Sequence, residues 1–423
     1  MKSELFEILR CPYCGGAFDL VESLFHRAEG DEIRDGILGC QCCIFPVVDG
    51  IPVLHLQPNA TMARDLMQAG QPDAARRAMI GLETESEAEA FEATARSETA
   101  TYRETVEALG PNFEGGYFLY RFSDPTYVVA QSVVRSVAKT VLAPSTRSGR
   151  TDRRAIDICG GSGHLTRSLL DLSTKPPVLA DLYFAKMWLA RRFTAPGCEP
   201  VCCDGNAPMP FARGAFAYAM CTDAFMYIWT KRQFVGEMAR LVDDPASDPG
   251  AVVIGHTHNE RTWSPSHGQP LSPEGYAALF ETLPPRVFGE SSLFADVVAG
   301  GPLDLTRRET AEALDREPAL TIVATTRADV FARHPLDDPP AAGGEFHVNP
   351  LYVAEPEGDR VKLRLRFPSE DYADEYGACR QYLPDEVVVH RAAYESLPGP
   401  AVPPAMADLA RRRVVLNLPR RYT

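Results

Sequence analysis

Two sets of cysteines and one run of glycines have the residue types and spacing to do chemistry. The segment CPYC supplies Cys11 and Cys14, and CQCC supplies Cys40, Cys42 and Cys43. Two Cys-x-x-Cys knuckles separated by residues 15–39 have the spacing of a four-thiolate zinc site, because each tight knuckle turns two sulfurs towards one tetrahedral centre. Four sulfurs close the coordination shell, so such a site is structural. Cys11, Cys14 and Cys40 are unambiguous ligands. For the fourth, the spacing favours Cys43 over Cys42. The remaining cysteines are scattered in mostly apolar surroundings and read as small buried hydrophobes.

Residues 155–165 read AIDICGGSGHL: a strand-like run, then Asp157, Cys159, Gly160, Gly161 and Gly163, then a helix-like run. Glycine lets a ligand approach the backbone N–H groups with no Cβ in the way. At the carboxyl end of a strand in an open α/β sheet, such a turn lies where ligands bind. A dinucleotide fingerprint needs glycine at 166, where Thr166 stands, and a Walker loop needs a Gly-Lys-Ser/Thr that the chain lacks, so neither phosphate-cradling reading fits well. Further on, IGHTHNERTW places His256 and His258 just past another strand-like run, and SPSHGQP adds His267. A histidine there suits removal of a proton from an alcohol or phenol, and the alternative is an ordinary loop histidine. The segment PNFEGGYFLYRFSDPTY at 111–127 is dense in aromatics. It reads either as a core-packing corner or as a lid that turns Tyr117, Tyr120 and Arg121 to a ligand.

These residues need a frame, and the pattern supplies one. From AIDIC onwards, short apolar runs (PVLADL, EPVCCD, AFAYAMCTD, GAVVIGHT) alternate with helical ones (HLTRSLLDL, YFAKMWLARRF, KRQFVGEMARLV, SPEGYAALFETL with Ser272 as cap). The alternation predicts an α/β open parallel sheet with helices on both faces. Residues 58–100 read as helices with a charged face and 143–154 as a loop. Beyond 285 the pattern weakens. ALTIVATT reads as a late strand, residues 345–367 as strands with a turn at Glu357-Gly358-Asp359, and PAMADLARRRVVLNLP as an amphipathic helix. The formal charge of −14 argues against a broad nucleic-acid or anionic-membrane surface. There is no apolar run long enough to span a membrane, and the start has no secretory h-region, so a cytoplasmic chain with reduced cysteines is expected.

Two resemblances sharpen these expectations. LFEILRCPYCGGAFDLV followed by DGILGCQCCIFPVVDGIPVL, ending in Phe45, Pro46, Asp49, Gly50, Ile51 and Pro52, resembles the Trm112-like zinc-ribbon family. The resemblance implies a small accessory module, used with methyltransferases as a partner or fused to them. The stretch from Asp157 to Gly163 resembles the first motif of class I S-adenosylmethionine-dependent methyltransferases, with Cys159 in place of its first glycine. That resemblance implies a Rossmann-like sheet and S-adenosylmethionine as cofactor. It places Asp157, Cys159, Gly160, Gly161 and Gly163 along the methionine part, Asp181 on the ribose hydroxyls and Asp204 near the adenine. Cys221, ending the fourth strand, joins this set with Arg121. Asp223, Tyr227, Tyr117, Tyr120 and His267 fall on the substrate side, and His256 and His258 are candidate bases. Ala217 departs from the family's usual Asp.

The expected organisation is a ribbon at 1–57, a helical linker and aromatic lid at 58–150, a methyltransferase domain at 151–335 and a β-rich extension at 336–423. The expected activity is methyl transfer to an oxygen or nitrogen of a small molecule such as a natural product or glycan intermediate. A protein partner would come through the ribbon. The alternatives are an RNA or translation-protein methyltransferase, and a non-catalytic adaptor with a degenerate cofactor fold.

Overall fold

Seven short strands, most of them fully buried, form the central sheet. They are β1 (Ala155–Ile158), β2 (Val178–Asp181), β3 (Glu199–Cys202), β4 (Tyr218–Thr222), β5 (Ala251–His258), β6 (Pro285–Gly289) and β7 (Ala319–Ala324). The computed structural model describes residues 1–423 except 83, 112, 145–148, 150, 151, 264–267 and 337–342. The strand order is β6-β7-β5-β4-β1-β2-β3. Strands β1 to β5 run parallel, whereas β7 runs antiparallel to both its neighbours, β5 and β6. The sheet is therefore mixed and not purely parallel as the pattern predicted. An apolar run shows that a strand is buried on both faces, but it carries no information on direction.

Alternate residues feed two cores. Tyr218, Met220 and Val253 pack with the helix Pro125–Leu142 on one face. Ala219, Cys221, Val252 and Ile254 pack with the helix Lys231–Val242 on the other. The long helix starts at Asp124, whose carboxylate caps the Tyr127 N–H. Ser272 caps Pro273–Ala277 as expected. HLTRSLLDL is shorter than predicted, a single 3₁₀ turn at Thr166–Leu169.

The cysteine-bearing N-terminal segment forms its own small sheet, with Glu32–Gly39 at its centre. It docks on the β3 edge of the central sheet. Val53 bridges Cys202 in parallel, and the Leu54 N–H donates to the Cys202 carbonyl at 2.7 Å. Leu5, Leu9, Phe18, Phe45 and Val47 share a core with Ile156, Ile158 and Val201. Helices Pro58–Gln68, Pro72–Ile80, Glu85–Arg96 and Tyr102–Leu109 follow, the last two opened by Thr-x-x-Glu capping boxes.

The C-terminal segment builds a third core around a three-stranded sheet, Tyr352–Glu357, Arg360–Leu365 and Glu386–His390. The predicted turn holds, with Gly358 at φ +61°. The predicted amphipathic helix does not. Only Ala407–Arg411 is helical, and Val415–Pro419 is a buried strand paired with Gly344–Val348. All five residues of that strand are buried, an environment that favours an extended apolar run over a one-faced helix. No helix among the described residues is long and apolar enough to cross a membrane.

Candidate active-site cleft and cysteine cluster

Strand order reverses between β1 and β4, and a cleft of about 1370 Å³ opens at the carboxyl ends there. One wall is the glycine turn. Cys159, Gly161 and Gly163 all have positive φ, at 60°, 53° and 74°. A Cβ on Gly160 would lie 2.5 Å from an Asp157 carboxylate oxygen and from Leu179 Cδ1, so only glycine fits. At Gly161 nothing lies closer than Lys186 Cδ at 3.9 Å, which leaves that backbone open to the cleft. Gly163 does not line the cleft. Its Cβ would strike Ala190, so it serves packing against the next helix.

Three acids follow on successive strands. Asp157, at the centre of β1, lies beneath the turn and accepts from Thr166 Oγ1 at 2.6 Å. Burial pushes its carboxyl up to about 7, against the Thr166 bond. Asp181, ending β2, accepts from the Gly161 N–H at 2.9 Å and the Tyr183 N–H at 2.8 Å, and burial raises it too. Asp204, after β3, accepts from the Asn206 N–H at 2.8 Å and lines the cleft. Cys221 does not line it. The side chain is wholly buried on the Lys231–Val242 face, because its position in β4 points it away, and Thr222 reaches the cleft instead. Thr222 Oγ1 is buried there without a hydrogen-bond partner among the described residues.

The aromatic segment is both of the things it could have been. Leu119 and Phe122 are buried in the core, while Tyr117, Tyr120 and Arg121 line the cleft. Glu114 ties the segment down by accepting from Ser162 Oγ of the glycine turn and pairing with Lys186 at 3.4 Å. Arg121 binds Asp124 at 3.0 Å and Asp223 at 3.1 Å. Burial opposes its charge, but the two carboxylates outweigh burial and raise its pKa. Tyr422, from the far end of the chain, donates to the Phe118 carbonyl at 2.6 Å and lies 2.9 Å from His164 Nε2. Burial drives the His164 pKa well down.

Opposite the glycine turn, Asp223, Tyr227, His256 and His258 line the cleft, joined by Tyr372 and Tyr376 of the C-terminal segment. His256 Nδ1 lies 2.6 Å from Glu290 Oε2, and its backbone N–H donates to Oε1 at 2.8 Å. Burial opposes the imidazolium, but Glu290 outweighs it and raises His256 to about 9. Burial and the neighbouring His256 lower His258. His267 lies outside the described residues. Sequence reasoning missed Glu290, Glu114, His164 and Tyr422. Glu114, beside the two glycines of the aromatic run, and His164, at the end of the glycine turn, stood in segments already singled out.

At the N-terminal sheet the ligand atoms of Cys11, Cys14, Cys40 and Cys42 all lie within 4.8 Å of one another. The sulfur separations are 3.6 Å (Cys11–Cys42), 3.8 Å (Cys14–Cys40) and 3.7 Å (Cys40–Cys42). A tetrahedral zinc with bonds of about 2.3 Å sets its sulfurs about 3.8 Å apart, so donors and spacing fit the ion. Cys42 stands in this cluster where the spacing favoured Cys43, whose Sγ lies 3.4 Å from Cys42 Sγ and whose N–H donates to Cys40 Sγ at 3.3 Å.

No family model and no curated protein matches the chain. Solved structures do. A chain of the complex containing the Haloferax volcanii Trm112 methyltransferase activator is 18% identical, covering 45% of this chain and 89% of that one, with a TM-score of 0.32. Geranyl diphosphate C-methyltransferase from Streptomyces coelicolor is 16% identical over 44% of this chain and 75% of its own, TM-score 0.31. The YcgJ protein from Bacillus subtilis is 18% identical over 45% and 98%, TM-score 0.29.

Proposed function

We propose that this chain is an S-adenosylmethionine-dependent methyltransferase that passes a methyl group to an oxygen or nitrogen of a small-molecule acceptor, and that its N-terminal segment is a Trm112-like ribbon holding a structural zinc on Cys11, Cys14, Cys40 and Cys42. One observation carries the reading. The ends of β1, β2 and β3 bring an open glycine backbone, Asp181 and Asp204 to one wall of one cleft.

The residues present fit the cofactor. Gly161 leaves room for a ligand at the backbone, and the orphaned Thr222 hydroxyl offers a partner on the floor. Asp181 suits a ribose diol, since a carboxylate accepts several hydrogen bonds. Asp204 and Asn206 suit the adenine end. When bound, the cofactor supplies a methyl group activated on a sulfonium. The chain's own task is then to align the acceptor and exclude water. The segment over the cleft is fixed for this by Glu114, by Arg121 and by Tyr422.

Calorimetric titration with S-adenosylmethionine and S-adenosylhomocysteine tests the reading on the zinc-loaded protein. The parent binds both, and Asp181→Ala and Asp204→Ala each weaken binding by about tenfold to a hundredfold, the scale of a lost hydrogen bond to a charged group. A folded, zinc-loaded parent that binds neither compound overturns the methyltransferase and leaves the adaptor.

A further inference from the structure

The acceptor side of the cleft contains a buried charged pair that the cofactor does not need. Pairing of β5 with β7 shifts register between Ile254 and Thr257, and inside that bulge His256 has φ +46°. A residue with a Cβ adopts this conformation at a cost, and bulges beside active sites re-aim side chains. Glu290 compensates. It is the first residue of the helix Glu290–Val298 and only 9% exposed. One of its oxygens accepts from the His256 N–H and from Thr321 Oγ1 at 2.8 Å, and the other faces His256 Nδ1. With Nδ1 engaged, Nε2 is the ring nitrogen left to the cleft, and it has no hydrogen bond among the described residues. Flat aromatic faces line the same space: Tyr117, Tyr120, Tyr227, Trp263, Tyr372 and Tyr376.

We infer that Glu290 is a positioning residue that orients His256 to take the proton of an aromatic hydroxyl, a phenol or ring enol, as that oxygen accepts the methyl group. The inference rests on the methyltransferase reading and names its acceptor class. The hydroxyl oxygen bonds to the methyl carbon, and the carbon–sulfur bond breaks with its electron pair returning to sulfur. The hydroxyl proton passes to Nε2, and the imidazolium formed is held by the Glu290 carboxylate.

One observation selects the class. Aromatic walls accept a flat ring in stacked or edge-on contact. Glu290 raises His256 to about 9, so the ring is an imidazolium at neutral pH and takes the hydroxyl proton only in the neutral form that it reaches as pH rises towards 9. The charged and titratable groups facing His256 are Glu290 from its helix, Asp223 from the end of β4, Arg121 from the aromatic segment and His258 on its own strand. Glu290 is the largest influence of these.

The test uses protein saturated with S-adenosylhomocysteine and the probe 4-nitrophenol, whose yellow anion reports where its proton resides. Histidine-selective NMR titration accompanies it. In the parent, the bound probe ionises about one pH unit or more below its free midpoint. His256→Gln abolishes that shift. Glu290→Gln, of the same size, reduces it and moves the His256 titration towards its ordinary range. No bound probe, an unshifted midpoint in the parent, or a Glu290→Gln protein identical to the parent in both readouts overturns the inference. Failure to bind S-adenosylhomocysteine would instead overturn the methyltransferase reading, so the two failures are distinct.

Discussion

The cysteine-bearing N-terminal sheet and the C-terminal segment flank the same central sheet, yet only the second reaches the cleft. Among the described residues the N-terminal sheet lines none of it, while Ser369, Tyr372 and Tyr376 form part of its wall and Tyr422 anchors the segment above it. The first region is organised internally by contacts close in sequence, its two knuckles, and meets the central domain through Val53 at Cys202 and Leu9 at Phe211. The second is organised by contacts across the whole chain, such as Arg167 to Asn417 at 2.7 Å and Tyr102 N–H to the Arg421 carbonyl at 2.7 Å. The edge of the sheet and the wall of the cleft are thus entrusted to opposite ends.

The largest expected effect breaks the first region. Stripping zinc with a chelator, or replacing Cys42 by Ser, removes a contribution of about 10 kcal/mol on the scale of small zinc modules, and the N-terminal sheet unfolds. Metal analysis and thermal unfolding read this. Cys43→Ser keeps the ion, and the opposite result would restore Cys43 as the ligand. A second effect belongs to neither region and sets the baseline for both. Asp157 has a carboxyl pKa raised by burial from 3.8 to about 7, so the folded state holds its proton more tightly than the unfolded chain. Its contribution is fully present below about pH 4 and is lost as pH rises to about 7, at most about 4 kcal/mol. Asp157→Asn flattens the stability profile in that window, as denaturant midpoints from pH 4 to 8 would show.

Smaller effects probe the second region. Asn417→Leu leaves the Arg167 guanidinium, 3% exposed, without its partner and costs about 2 kcal/mol in urea unfolding, with zinc retained. Tyr422→Phe costs about 1 kcal/mol. It frees the Phe118 carbonyl and His164, and faster amide exchange through residues 117–121 is its signature.

The same contrast explains what could be read in advance. The glycine turn, Asp181 and Asp204 were legible because each sits at a strand end, where a few neighbouring residues fix its place. The fourth thiol stayed a choice between Cys43, which the spacing favoured, and Cys42, since knuckle spacing names a loop and not which thiol turns inwards. Cys221 was misplaced because the direction of a side chain near a strand end follows from pairing, which the β4 sequence does not reveal. Glu290 was illegible for a stronger reason. It meets His256 across 34 residues, through the reversed strand β7 that no periodicity predicts. The aromatic tail residues meet the cleft only once the third core has formed.

The pairing of Val53 and Leu54 with Cys202 has a consequence beyond architecture. Strand β3 is the last in its sheet, and a bare edge strand offers unpaired N–H and C=O groups to any other chain. The N-terminal segment occupies part of that edge only while its own small sheet is folded. Unfolding of the N-terminal sheet would therefore uncover a pairing edge at β3 without touching any residue of the cleft.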